Sequence, residues 1–324
     1  MMSPTRRFAA AAMFAAGAAL PGSRALAQTL APTVAPTVAG PLATPIEVVD
    51  EPDASVPTTG GPFQHMLAPV MINGQGPYNF LMDTGANTSC ISARLAQQLD
   101  LTHTTPAMVH TVVGVRQRPR VMIDRLQVGS RNRRNVTAPA LPISGLEVDG
   151  VLGVDWLKGQ RLVMGFKDKS LKITGSRYER SREGAVVVPA RRRLGQLTIV
   201  DADLNGENIS AMVDSGSQVT ICNAPLRALV RQQERKRGSP ERLDRVELQS
   251  LAGEKFTGES LFLPFLRLGG LQLGNVPVVY ADMHVFNIWG LKDQPAIVLG
   301  MDLLTQFDSV ALDFGKSNVR FDLA

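Results

Sequence analysis

From Phe63 onward the apolar residues fall in short runs, many alternating with polar positions and separated by turns bearing Gly, Pro or Asn. That is the pattern of β-strands. Val70-Met71-Ile72-Asn73-Gly74 reads as a strand entering an Asn-Gly turn, the strongest short-range hairpin signal, and Ala202-Asp203-Leu204-Asn205-Gly206 repeats it. In both places the returning strand delivers an acid: Phe80-Leu81-Met82-Asp83-Thr84-Gly85-Ala86 and Ala211-Met212-Val213-Asp214-Ser215-Gly216-Ser217, with Ser89 and Thr220 each six positions beyond the Asp. Val151-Leu152-Gly153-Val154-Asp155-Trp156-Leu157 is echoed by Val298-Leu299-Gly300-Met301-Asp302-Leu303-Leu304. Hairpins are predicted to close the halves over Leu162 to Ile173 and Val310 to Phe321, and further strands over Met108 to Val115, Val121 to Val128, Ala185 to Pro189, Leu261 to Leu268 and Val276 to Tyr280. Helices are short: Ser92 to Leu99, Pro225 to Gln233, Asp155 to Gly159 and Asp302 to Phe307. The class is mostly β, and the same order of features met twice predicts an internal duplication into two tandem units.

A lone Asp-Thr-Gly is most often an ordinary hairpin turn, because Asp and Gly are ordinary turn residues. Its repetition changes the reading. Duplicated units packed about a pseudo-dyad bring whatever lies at the axis against its own copy. If the acid turns lie there, Asp83 faces Asp214, and two carboxylates that close share a proton rather than both ionise. One then acts as general base on a water while the other donates to a carbonyl. Gly85 and Gly216 permit a turn that a side chain would strain and let backbone approach the acids. Thr84 and Ser215 offer hydroxyls to the partner loop's backbone. The Val-Leu-Gly segments read as buried strands beneath the acid turns, or equally as plain core strands.

Composition narrows the alternatives. The net charge of +5 is spread out, and the short runs at Arg131, Arg133, Arg134 and at Arg191, Arg192, Arg193 read as solvated faces; with 5% aromatic residues and no binding motif, no nucleic-acid partner is expected. His65, His103, His110 and His284 are dispersed and no Cys or His pair has ligand spacing, so no metal is expected. No Gly-Lys-Ser/Thr follows Gly145, Gly150 or Gly153, so there is no phosphate cradle. Asp155 and Asp302 read as helix-start caps rather than working acids. Cys90 and Cys222 are expected on opposite strand faces and unbridged.

Residues 1–27 resemble an export signal: Arg6-Arg7, an apolar run from Phe8 to Leu20, and Ala25-Leu26-Ala27 before Gln28. The run is shorter than the roughly 20 residues of a permanent span, and Thr5-Arg6-Arg7-Phe8 leaves the general secretory and twin-arginine routes both open. Residues 28–61, rich in Ala, Pro and Thr, read as a tether.

Taken together, Asp83-Thr84-Gly85-Ala86 with Ser89, Asp214-Ser215-Gly216-Ser217 with Thr220, and the segments ending in Gly153 and Gly300 resemble the retropepsin-like aspartic proteases of bacterial, exported type, with two lobes fused in one chain as in pepsin-like enzymes. The resemblance also implies a pair of carboxylates that share one proton, as in that family. The resemblance covers roughly Pro62 to Asp322. It implies two β-barrel lobes related by a pseudo-two-fold axis, over 62–175 and 185–324 with a linker at 176–184, and a peptide cleft covered by hairpin flaps. The flap candidates are Val109 to Gln117, centred on Gly114, and Leu248 to Gly258, centred on Gly253. Pepsin-like enzymes carry a Tyr on the first flap, and none stands between His103 and Arg120 here. The expected activity is that of an exported, periplasmic or secreted aspartic endopeptidase acting on a peptide or protein, with Asp83 and Asp214 catalytic, no cofactor, and a monomer forming its dyad in cis. Two alternatives stand beside it: a catalytically weak peptide-binding module of the cell envelope, and pairing of each half with the same half of another chain.

Overall fold

The computed structural model describes residues 51–60, 65–143, 147–177, 183–193, 195–199, 201–236 and 244–323. The segment read as an export signal, residues 28–50 of the tether and residues 178–182 of the linker lie outside them. Six strands join the two halves, in the order Ala54–Pro57, Ser170–Gly175, Gln160–Gly165, Ser309–Asp313, Asn318–Asp322 and Ala185–Arg193. This order is symmetric in the duplication. The two closing hairpins meet antiparallel at the centre, with Leu162 opposite Leu312 and Met164 opposite Val310, and each is flanked by the strand that leads its own half. Leu162, Met164, Leu171 and Ile173 are buried with Val310, Leu312, Val319 and Phe321 in one core that both halves share. Period-2 alternation puts these residues on one face of the strands.

The first half continues as a sheet ordered Met66–Ile72, Gln75–Met82, Gly150–Leu152, Cys90–Ser92, Arg131–Leu141, Val115–Val128 and His103–His110; Met66–Ile72 pairs also with Val115–Val128, which curls the sheet onto itself. In the second half the order is Gln196–Ile199, Ser210–Val213, Ala296–Leu299, Ile221–Cys222, Leu271–Tyr280, Lys255–Leu268 and Ala202–Leu204. The fold is mostly β, two lobes of like strand order about a pseudo-two-fold. Among the described residues no helix is long and apolar enough to cross a membrane. Helix Ala93–Gln98 starts where Ser92 Oγ accepts from Leu95 N–H at 3.1 Å, and Ala224–Lys236 occupies the equivalent place after the second acid. Helix His284–Ile288, without a side-chain cap, was not foreseen from the sequence.

Order begins earlier than Phe63. Ala54–Pro57 is a paired strand, so the tether expected over 28–61 does not extend through these residues. The duplication explains it: Val56-Pro57 stand opposite Leu171 and Ser170 as Val188-Pro189 stand opposite Val319 and Asn318. The Arg131 to Arg134 run is corrected with it. The Arg131 guanidinium is buried and donates to Pro52 O at 2.8 Å, to Glu51 at 3.1 Å and to Gln160. Arg133 donates to Glu51 at 2.7 Å and lies 4.4 Å from the Trp156 ring centre. Arg131 and Arg133 thus anchor the leading segment rather than form a solvated face, whereas Arg134, Arg191 and Arg192 are exposed.

Candidate active site

Each acid sits at the end of a strand that pairs parallel with the Val-Leu segment of its own half: Met82 opposite Leu152, and Val213 opposite Leu299. That pairing continues into the acids, since Asp83 N–H donates to Leu152 O and Asp214 N–H to Leu299 O, both at 3.0 Å. The strand that follows each acid turn, Cys90–Ser92 or Ile221–Cys222, pairs on the other side of the same segment. The Val-Leu-Gly strands are thus the floor on which both acid turns rest. A Cβ at Gly153 would stand 2.7 Å from Ala86 O, and one at Gly300 would strike Val219 O, so the floor must be bare where the acid loop crosses it.

The pseudo-dyad brings the turns together. Thr84 Oγ1 donates to Val213 O at 2.8 Å and accepts from Ser215 N–H at 3.0 Å. Ser215 Oγ donates to Met82 O at 2.7 Å and accepts from Thr84 N–H at 3.1 Å. These four bonds, two from each lobe, fix the turns against each other. Asp83 Oδ1 accepts from Gly85 N–H at 2.8 Å and Ala86 N–H at 3.0 Å, and Asp214 Oδ1 accepts from Gly216 N–H at 2.8 Å. Neither Oδ2 has a hydrogen-bond partner among the described residues. Both acids are buried. Burial, then the charge of Asp214, holds Asp83 well above the usual carboxylate range, and burial raises Asp214 as well. Ser217 Oγ donates to Val219 O at 2.8 Å and stabilises its own loop.

The need for Gly85 and Gly216 differs from expectation. Neither adopts a left-handed φ. The constraint is space across the dyad, because a Cβ at Gly85 would lie 2.5 Å from Asp214 Cγ, and one at Gly216 2.5 Å from each Asp83 carboxyl oxygen.

Asp155 and Asp302 are also corrected. Neither caps its helix; the N-cap positions are Gly153 and Gly300, without side-chain bonds. Asp155 Oδ1 instead accepts from Ser89 N–H at 3.1 Å and Ser89 Oγ at 2.8 Å. Asp302 accepts from Thr220 N–H at 3.0 Å and Thr220 Oγ1 at 2.7 Å. The two hydroxyls in turn accept from Gly153 N–H at 3.0 Å and Gly300 N–H at 3.1 Å. Each Asp therefore ties the far end of an acid loop to the floor strand. The signal was present in the sequence, since Ser89/Thr220 and Asp155/Asp302 are duplicated together. Asp302→Ala would strand two buried donors, and we expect it to cost about 1–3 kcal/mol of stability. It should also lower kcat on any turned-over peptide without removing either acid. Thermal unfolding and kcat of the variant check this, and wild-type values for both would refute the tie.

Gln196 escaped sequence reasoning altogether. Buried, it donates through Nε2 to Gly85 O across the lobes, and a lone Gln carries no pattern that foretells it. Cys90 and Cys222 are buried and unbridged, as expected. The flap candidates are hairpins: His103–His110 with Val115–Val128, and Asp244–Gln249 with Lys255–Leu268. Gly114 and Gly253 stand at their tips, Gly253 at φ +81°. Among the described residues no group of three or more His, Cys, Asp or Glu could hold a metal ion.

Comparison with known protein families agrees with the geometry. Residues 68–159 match the family described as gag-polyprotein putative aspartyl protease, and residues 200–303 match the family described as aspartyl protease. No curated protein matches the chain. Each matched stretch holds one acid turn, its Ser89 or Thr220 and its floor strand, and the tandem matches place the chain among the retropepsin-like aspartic proteases, with two lobes in a single polypeptide.

Proposed function

We propose that the protein is an exported aspartic endopeptidase whose single active site is formed in cis by Asp83 and Asp214. The observation that carries the reading is the buried carboxyl pair, each Oδ1 held by turn amides and each Oδ2 without a hydrogen-bond partner among the described residues. Burial makes it costly for both to ionise, so the pair keeps one proton. The ionised member takes a proton from a water bound between the Oδ2 atoms as that water attacks the scissile carbonyl. The protonated member donates to the carbonyl oxygen. The newly protonated member then gives its proton to the amide nitrogen while the ionised one takes a proton from a hydroxyl of the tetrahedral diol, so that the C–N bond breaks, the carboxyl product forms and the singly protonated pair is restored. Thr84, Ser215 and the glycines hold the acids in place, so little reorganisation accompanies the reaction. Delivery outside the cytoplasm is inferred from Arg6-Arg7, the apolar run from Phe8 to Leu20 and Ala25-Leu26-Ala27.

The test is the cleavage profile of a proteome-derived peptide mixture by the exported protein, across pH, with the mass of the active species measured alongside. We expect new termini, a monomeric active species and a mature chain beginning at Gln28. Binding without new termini would favour the envelope peptide-binding alternative. The pH dependence has a definite sign. As pH falls through the raised dyad step, the pair gains its single proton and activity appears; at lower pH a second proton removes the base. kcat/KM should therefore be bell-shaped, with its alkaline limb above the ordinary carboxylate value of about 3.9. An alkaline limb at that ordinary value would contradict the shared-proton pair.

A further inference from the structure

The tips of the two hairpins are exchanged between the lobes. Val112, at the first tip, is 1% exposed and belongs to an apolar cluster with Val279, Met283, Val285 and Phe286 of the second half. Leu251, at the second tip, is 1% exposed in a cluster with Ala86, Val109 and Leu141 of the first. Both acids are buried while the tips are docked in this way. Among the described residues, the first tip carries a polar clasp across the lobes. Val112 O accepts from His284 N–H at 2.8 Å, and His110 Nδ1 lies 3.1 Å from His284 Nε2. The two ring planes are 3° apart with centroids at 5.4 Å. The centroid separation exceeds the N···N distance by about one ring radius at each end, so the imidazoles lie edge to edge in one plane, joined by an in-plane N–H···N bond rather than stacked.

We propose that His110 and His284 are positioning residues that hold the first hairpin shut over the dyad while at most one of them is charged, and release it when both are protonated. The reason is proton counting. A neutral pair has one N–H and one lone pair between the rings, and one added proton still leaves a donor and an acceptor. A second leaves two N–H groups and two positive charges facing each other. Burial, then His284, lowers the affinity of His110 for a proton, which agrees with the geometry. Charged groups on the elements around the pair include Arg116, opposite Val109, with Arg118 and Arg120 farther along the same returning strand, Asp282, just before helix His284–Ile288, Lys292 and Asp293 after it, and Arg193, which donates to Trp289 O and Gly290 O. Arg116 donates to Val115 O at 3.0 Å, and among the described residues neither imidazole makes an ion pair. Because the closed state binds fewer protons than the open one, closure is favoured above the ordinary imidazole value of about 6.5 and weakens as pH falls through it. The consequence for substrate entry rests on the protease reading; the clasp does not.

The test is amide exchange over residues 108–118 of the full protein, corrected for the intrinsic pH dependence of exchange. Protection should hold at neutral pH, and opening should rise by up to about tenfold per pH unit through the imidazole range, the slope of one-proton linkage. His284→Ala should exchange fast at every pH. His110→Asn/His284→Gln, whose amides can hydrogen-bond without titrating, should restore protection and flatten the profile. Protection in the wild type that is unchanged by acid, or the same slope in the double amide variant, overturns the proposal. An inactive protein with the exchange switch intact would sink the protease reading and leave the clasp. An active protease with flat exchange would do the reverse.

Discussion

Asp83→Asn and Asp214→Asn are each expected to lower kcat/KM by about 10³-fold or more, in line with loss of a positioned acid–base group on which both proton transfers depend. Each amide is isosteric with the carboxyl it replaces and can still accept from the turn amides that hold Oδ1. The geometry survives; the exchangeable proton does not. KM should therefore change far less than kcat. Stability should move the other way. Both acids are raised in the folded state by burial, so the stability they contribute is present below their unfolded values and is lost as pH rises through the folded ones. An Asn has no such loss, and its NH₂ can donate to the remaining carboxylate as the shared proton did. Each variant should unfold at a higher temperature than the wild type at neutral pH, and the difference should shrink on acidification. The measurements are peptide turnover and thermal unfolding at both pH values. Unchanged turnover in Asp214→Asn would remove the cis dyad. Low turnover with a lower Tm at neutral pH would mean that the substitution broke the fold rather than the chemistry.

The duplication made both acids, both floor strands and the closing hairpins legible, because each is a local pattern and its repeat confirms it. Distance in the chain hid the rest. The strand Ala54–Pro57 lies in an Ala/Pro/Thr-rich segment, and only its pairing with Ser170–Gly175 shows it to be the counterpart of Ala185–Arg193. Val115–Val128 and Lys255–Leu268 extend well before the Val121 and Leu261 expected as their starts. Their first residues include Arg116, Arg118 and Arg120 on one and Lys255 and Glu259 on the other, which break the apolar alternation. Asp155 and Asp302 were seen as a repeated pair yet given a local role. An Asp at a helix start can satisfy local amides or a remote loop, and sequence alone does not choose between them. Gln196 and the His110–His284 pair are contacts between lobes made by single residues. No period or motif carries such contacts, so they become visible only once the lobes are packed.

Gly216→Ala is expected to damage the site nearly as much as loss of an acid, for a purely steric reason. Its new methyl would stand 2.5 Å from both carboxyl oxygens of Asp83, and the reciprocal methyl at Gly85 would stand 2.6 Å from both oxygens of Asp214. A carboxyl could yield to a methyl only by swinging away. Asp83 is pinned by two amide hydrogen bonds through Oδ1, and the turns are locked to each other by the Thr84 and Ser215 bonds. The strain must therefore separate the turns or rotate the acid. Overpacking of this kind costs about 1–3 kcal/mol, and a displacement near 1 Å at reacting atoms lowers the rate by about 10²-fold. Gly216→Ala and Gly85→Ala should each show both effects, with kcat falling more than KM rises. Gly274→Ala is the control, since its Cβ would meet nothing closer than Pro264 O at 4.0 Å, and it should keep wild-type turnover and stability. If the Gly216→Ala variant turns over peptide like the wild type, the acids are not held as close across the pseudo-dyad as the structure places them, and the shared-proton mechanism loses its geometric basis.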